Sequence, residues 1–233
     1  MDISSRLVKI IDMIPESDTV ADIGTDHGYV LIELLKRGKI KRGIASDNKE
    51  MPLEKARKNA EAERVEVLMD FRLGSGFETL NAGEANGAVI AGMGGILIRE
   101  LMENSLDVIK EMDFILLQPA QNPEILREYL YTNQFKVVDE ELVREDRRYY
   151  EYMVVKFDPC KSTSLENHID YTIGDILLKK KHPLLEEYLT SKTKEMEEIL
   201  SKINITSENA KTRSRIINQK INELRSVIDG SVG

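Results

Sequence analysis

The stretch Val20-Ala21-Asp22-Ile23-Gly24-Thr25-Asp26-His27-Gly28-Tyr29 runs from an apolar strand through two glycines into a helical pattern. Glycines at such a junction let the backbone turn tightly and approach a ligand at the carboxyl end of a strand. The same unit recurs along the chain. Short apolar runs at 20–23, 43–45, 67–73, 88–91 and 114–117 barely alternate, as strands buried on both faces do. Helical patterns lie between them at 29–37, 50–63, 96–102 and 123–133. Gly38 stops the first, and Pro52 sits where a first turn tolerates it. Strands and helices alternating over such short connections predict a doubly wound, mostly parallel α/β sheet. Segments 135–142 and 149–157 have only a polar stretch between them, and read as an antiparallel pair closing one sheet edge.

A break follows at Asp158-Pro159 and Lys161-Ser162-Thr163-Ser164, which divides the chain into residues 1–160 and 161–233. Beyond it the periodicity is helical. Leu185, Leu189, Met196, Ile199 and Ile203 form one apolar stripe, and Ala210, Ile217, Ile221, Leu224 and Ile228 form a second. The turn at 204–207 offers Thr206 or Ser207 as a helix cap, so the pair predicts an antiparallel helical hairpin. No internal repeat or low-complexity tract interrupts either part.

Charge follows the same division. The 233-residue chain carries a net −8, yet residues 161–233 hold 12 basic and 11 acidic side chains, and 202–225 hold six against two. The acidic excess therefore belongs to the first part, and the whole-chain value does not argue against a nucleic-acid partner. Cys160 is the single cysteine, which excludes a disulfide framework and multi-cysteine metal sites. His168, His182 and Cys160 lack metal-ligand spacing, so no metal is expected. No run reaches the roughly 18–20 apolar residues of a membrane span, and no signal-peptide core opens the chain. These readings point to a cytoplasmic protein without a membrane partner, a monomer or weak dimer.

The glycine loop spaces its residues Gly-x-x-x-Gly, unlike the Gly-x-Gly-x-x-Gly of a pyrophosphate cradle. Asp47 ends the second strand about 20 residues further on, where a carboxylate can accept both hydroxyls of a ribose. A turn or helix-capping aspartate is its bland alternative. The third strand ends in Arg72-Leu73-Gly74-Ser75-Gly76-Phe77 and the fourth in Ile90-Ala91-Gly92-Met93-Gly94-Gly95. Four strand ends carrying glycine or acid define one crevice along the top of the sheet.

Asp-Ile-Gly-Thr-Asp-His-Gly-Tyr, Arg-Leu-Gly-Ser-Gly-Phe, Ala-Gly-Met-Gly-Gly and Leu-Gln-Pro together resemble the bacterial S-adenosylmethionine-dependent tRNA (adenine-N1)-methyltransferases that modify position 22 of the D-arm. The resemblance spans residues 1–157, and the hairpin is similar to that family's small coiled-coil domain. It implies a Rossmann-like class I methyltransferase fold. It also implies that Asp22, Gly24 and Gly28 shape the methionine end of the cofactor site, that Asp47 holds the ribose and that Asn48 lies near the adenine. Ser75 and Gly76 would border that adenine. Ala91, Gly92 and Met93 would replace the Asn-Pro-Pro-Tyr type of motif, whose absence removes the usual acceptors for the target's amino group. The chain departs from the family pattern at Ser75, where an aspartate is usual, and at Gln118-Pro119-Ala120-Gln121.

The N1 lone pair of adenine is free at neutral pH, so methylation there needs orientation more than a strong base. The base must also leave its stack. Asp26, His27 and Tyr29, beside the glycine loop, are the candidates for seating it. Asp26 could instead cap the following helix, His27 could be a helix-start histidine held by backbone, and Tyr29 a first-turn core residue. Tyr149 and Tyr150 should face opposite sides of their strand, one toward the substrate mouth. Arg144, Arg147 and Arg148 could reach phosphate or simply be solvated. Lys179, Lys180, Lys181 and His182 at one end of the hairpin, and Lys211, Arg213, Arg215, Lys220 and Arg225 along its second helix, can follow a tRNA backbone. A solvated helix face is the alternative. A small-molecule methyltransferase and a non-catalytic RNA-binding module remain the rival readings.

Overall fold

The computed structural model describes residues 4–161, 171–204 and 207–231. It divides into two compact units, Met1–Glu166 and Asn167–Gly233. Among the described residues, seven strands of the first unit form one sheet in the order β3-β2-β1-β4-β5-β7-β6. These are β1 (Ser17–Ile23), β2 (Ile40–Asp47), β3 (Met69–Leu73), β4 (Gly87–Ala91), β5 (Phe114–Gln118), β6 (Phe135–Glu145) and β7 (Arg148–Phe157). The first five are parallel, whereas β7 runs antiparallel to β5 and to β6. The order of successive strands reverses between β1 and β4, and this opens the crevice at the strands' carboxyl ends.

Helices α1 (Ser5–Met13), α2 (Tyr29–Lys36) and α3 (Glu50–Ala62) cover one face, burying Ile10, Ile11, Leu31 and Ile32 against Val20, Val89, Phe114 and Leu116. On the other face α4 (Gly95–Glu103), α5 (Leu106–Ile109) and α6 (Pro123–Thr132) bury Ile98, Met102, Ile109 and Leu126 against Ile23, Ile90, Ile115 and Leu117. A buried ion triad pins α6 to the antiparallel edge. Arg127 Nε donates to Glu140 Oε1 at 3.1 Å, and its Nη2 donates to Glu151 Oε2 at 2.7 Å.

Several boundaries differ from expectation. Glu66–Leu68 form a 3-10 turn, so the third strand starts only at Met69, and its residues past Met69 are not fully buried because it is an edge strand. The polar segment 143–148 is mostly strand: Asp146-Arg147 alone form the turn, with Asp146 at φ 55°. Arg144 therefore lies in β6 and Arg148 opens β7, leaving Arg147 at the tip. Helix α1 lacks an obvious sequence signal beyond Ser4, whose hydroxyl accepts from Leu7 N–H at 3.4 Å.

The second unit contains α7 (Asp175–Lys179), α8 (Leu185–Lys202) and α9 (Glu208–Ser231). Helices α8 and α9 pack as a hairpin, and Arg225 on α9 bonds Glu197 on α8. Leu185, Leu189, Ile221 and Leu224 are buried as the stripes require, but Ile199 is 39 % exposed and Tyr188 and Thr193 take up the buried face instead. Ser207 caps α9 by accepting from Ala210 N–H at 3.2 Å; Thr206 and His168 lie outside the described residues. No described helix is long and apolar enough to cross a membrane.

Candidate active site

The loop after β1 is tied to the end of β2, because Gly24 N–H and Thr25 N–H both donate to Ser46 O, at 2.8 and 2.9 Å. Gly24 has φ 76°, and a Cβ there would overlap Met93 Cε. Gly28 has φ 71° and would place a Cβ 3.0 Å from that of Ala56, so α2 begins hard against α3. Thr25 Oγ1 accepts from Gly28 N–H at 3.2 Å, and the same side chain hydrogen-bonds the buried Asp22 carboxyl. Burial pushes Asp22 up to about 6; the Thr25 bond opposes that rise and the negative charge of Asp47 adds to it.

In front of this loop lies a cleft of about 80 Å³, open to solvent and lined by Gly24, Asp47, Asn48, Gly74, Ser75, Gly76, Met93, Leu97 and Leu101. Asp47 is held in place: its Oδ1 accepts from Lys49 N–H at 2.8 Å, and its carbonyl accepts from Gly74 N–H at 3.0 Å. Ser75 donates its N–H to Glu78 Oε1 at 2.7 Å. Arg72 clamps the rest of this turn, donating to Thr79 O at 2.8 Å and to both carboxylate oxygens of Glu84. That guanidinium holds the Glu84 carboxyl down at about 2.

The lining residues include one carboxylate and no cation. A phosphate-bearing ligand would find repulsion there, whereas ribose hydroxyls can donate to Asp47 and a cationic group is favoured near Asp22 and Asp47. Leu97 and Leu101, one turn apart on α4, supply an apolar wall suited to a purine ring. The donor set therefore fits S-adenosylmethionine.

The β4 and β5 ends are laced together beside the cleft. Gly92 N–H donates to Gln118 O at 3.0 Å, Ala120 N–H to Met93 O at 2.7 Å and Gly95 N–H to Gln121 O at 2.7 Å. At the start of α2, the His27 and Tyr29 rings stack with centroids 5.1 Å apart and an interplanar angle of 10°. His27 Nε2 lies 3.2 Å from Asp26 Oδ2, and His27 O accepts from Asn59 Nδ2 at 2.9 Å.

Residues 20–226 match the family described as tRNA (adenine(22)-N(1))-methyltransferase. The chain belongs to that family. A tRNA (adenine(22)-N(1))-methyltransferase of Bacillus subtilis is 26 % identical over 231 residues, 97 % of each chain. The crystal structure of the B. subtilis m1A22 tRNA methyltransferase TrmK superposes with a TM-score of 0.85 at 26 % identity, covering 97 % of this chain and 99 % of that one. A Streptococcus pneumoniae chain crystallised with S-adenosyl-L-methionine gives 0.85 at 28 % identity, covering 97 % and 100 %.

Within this TrmK-type frame, Gly24, Asp47, Asn48, Ser75, Gly76 and Met93 share the cleft wall. Asp22 lies buried at the end of β1, Gly28 caps α2, Ala91 ends β4 and Gly92 follows it, none of them in that wall. Asp26 does not cap α2: Gly28 occupies the cap position with left-handed backbone and no side-chain bond, and Asp26 pairs with His27 instead. His27 and Tyr29 are also outside the wall, although half-exposed beside it in sequence. The capping alternative for Asp47 holds in part, since one oxygen serves the turn into α3 while the residue still faces the cleft. Tyr150 packs toward the α1 face with the Arg6 guanidinium 5.5 Å above its ring. Leu97, Leu101, Thr25 and the Arg72–Glu84 clamp escaped the sequence reading. The spacing of the two leucines on one helix face was the available signal. Among the described residues no group of three or more His, Cys, Asp or Glu is arranged to hold a metal.

Proposed function

We propose that this chain transfers a methyl group from S-adenosylmethionine to N1 of adenosine 22 in the D-arm of tRNA. The observation that carries the reading is the cleft itself: an anchored carboxylate at the end of β2, a cation-free lining and a glycine loop whose Gly24 holds a left-handed φ of 76° that disfavours any side chain. When bound, S-adenosylmethionine supplies a methyl group made electrophilic by its sulfonium. Asp47 holds the ribose hydroxyls, with Asn48, Ser75, Gly76, Met93, Leu97 and Leu101 around the adenine. Asp22, Gly24 and Gly28 shape the end where the methionine portion lies, and the ionised Asp22 favours positive charge there. Ala91, Gly92 and Met93 border the place where the target base enters. Asp26, His27 and Tyr29 seat that base, the stacked His27–Tyr29 pair offering an aromatic surface to an unstacked purine.

No residue has to remove a proton from N1, so the protein contributes alignment and exclusion of water. Arg147 on the β6–β7 turn, Arg148 at the start of β7, and Lys211, Arg213, Arg215 and Lys220 along α9, bind the phosphate backbone of tRNA. Arg213 and Arg215 are exposed; Lys211 shares its charge with Glu208 at 2.8 Å. Incubation with unmodified bulk tRNA and methyl-labelled S-adenosylmethionine, followed by digestion and mapping, tests the reading. N1-methyladenosine at position 22 is expected. Its absence overturns the activity, and its appearance elsewhere overturns only the position.

A further inference from the structure

Gln118 ends β5 as the in-register neighbour of Ala91 at the end of β4. Its side chain is fully buried, on the strand face shared with Phe114 and Leu116 and therefore on the side of the sheet covered by α2, whose first residue is Tyr29. The amide nitrogen Nε2 donates to Pro119 O at 3.1 Å, while Oε1 receives no hydrogen bond among the described residues. Exchanging the two amide atoms would set Oε1 against the Pro119 carbonyl oxygen, so the arrangement has one sensible orientation. A buried acceptor left without a donor costs stability, and a donor from outside the chain, an ordered water or a bound ligand group, satisfies it. The exposed Gly92 and Ala120 flank it: Gly92 N–H donates to Gln118 O, and a Cβ on Gly92 would meet nothing within 4 Å.

We propose that Gln118 Oε1 accepts a hydrogen bond from the exocyclic amino group of the target adenine and so fixes the choice of base. The proposal rests on the reading of the chain as an adenine N1-methyltransferase. The loop Ala91-Gly92-Met93 offers no side-chain acceptor of its own, whereas adenine presents its amino donor directly beside N1. Oε1 is covered in the free protein, so the bond belongs to the step in which the base enters. During transfer the N1 lone pair becomes the new N–C bond and the S–C pair leaves with sulfur. No proton departs, and the purine becomes a cation. Part of that charge reaches the amino group, whose bond to Oε1 therefore strengthens in the transition state. Guanine would bring its O6 acceptor against Oε1 and be rejected.

The test compares tRNA carrying adenosine at position 22 with tRNA carrying purine riboside there, which keeps N1 and lacks the amino group, for the wild-type protein and for Gln118→Met. Wild type should favour adenosine about tenfold or more in kcat/KM, and Gln118→Met should lose most of that preference while cofactor affinity by calorimetry stays unchanged. A variant that slows both substrates equally would assign Gln118 a purely structural role and overturn the proposal. Should Gln118→Met fail to fold, the wild-type comparison still decides, because equal rates on the two tRNAs overturn the amino-group contact. No methylation of either tRNA by wild type would overturn the activity itself, a different outcome from lost discrimination.

Discussion

Gly95 donates its N–H to Gln121 O at 2.7 Å, and its Cα lies so close to the following residue that a Cβ would overlap Asn122 O. Asn122 itself holds φ 53°, and α6 starts at the next residue. A backbone oxygen fixed in this way cannot swing aside as a side-chain tip can. Gly95→Ala should therefore cost about 1–3 kcal/mol. It should also lower Tm by several degrees at about 2–4 °C per kcal/mol. The rate of methylation should fall with it, because the displaced segment runs back to Gln118. Thermal denaturation and initial rates check this; an unchanged Tm would show that the two loops part freely.

Asp22 makes the cleft sensitive to pH. Its folded value of about 6 lies above the ordinary 3.8, chiefly through burial. The folded state thus holds an extra proton between those values, and stability falls as pH rises from about 4 to about 6. Above that range the ionised carboxylate costs the free protein roughly 2–3 kcal/mol. A cationic ligand favours the ionised form, so cofactor affinity should rise about tenfold per unit as pH approaches 6 from below and then level off. Asp22→Asn should raise stability at pH 7.5, leave it unchanged below pH 4, and weaken cofactor binding. Calorimetric affinities from pH 5 to 8 settle the matter, and a flat profile would mean that Asp22 is already ionised at pH 5.

The Arg72–Glu84 pair holds the turn that carries Ser75 and Gly76 from below. Glu84 sits at about 2, lowered mainly by its bonds from Arg72, so its contribution is present above the ordinary carboxylate range and disappears as pH falls toward 2. Arg72→Met removes both carboxylate bonds and the bond to Thr79 O, and should cost about 1.5–3 kcal/mol. The KM for the cofactor should rise more than kcat falls, since the loss is one of positioning. Equal KM values for variant and wild type would show that the turn keeps its shape without the clamp.

The parts of this protein written in local patterns were legible from sequence. Strand runs such as 88–91 and 114–117 are short and apolar because both faces are covered, and the structure extends them by a residue at one end. Gly24 and Asp47 stand out because a tight turn and an acid at strand ends have few other uses. What escaped depends on tertiary neighbours. Helix α1 is amphipathic but short, and its packing against α2, β6 and β7 gives it a place. The Arg72–Glu84 pair joins residues 12 apart through a folded turn, which no periodicity announces. Ile199 falls on the apolar spacing of α8, yet it is exposed while Tyr188 and Thr193 are buried.

Helix α9 carries the last prediction. Arg213 and Arg215 are exposed two residues apart, whereas Lys211 pairs with Glu208 and Arg225 with Glu197. Charges already paired on the surface release fewer counterions when they meet phosphate, so the two arginines should dominate the electrostatic part of tRNA binding. Reversing both, Arg213→Glu with Arg215→Glu, should raise the KM for tRNA at least tenfold and reduce the slope of log affinity against log salt by about two. Cofactor affinity should not change, since neither residue touches the cleft. Binding measured by titration at several salt concentrations gives the slope directly. A doubly reversed variant that keeps the wild-type slope would place the tRNA contacts elsewhere, with Arg147 and Arg148 next to be reversed.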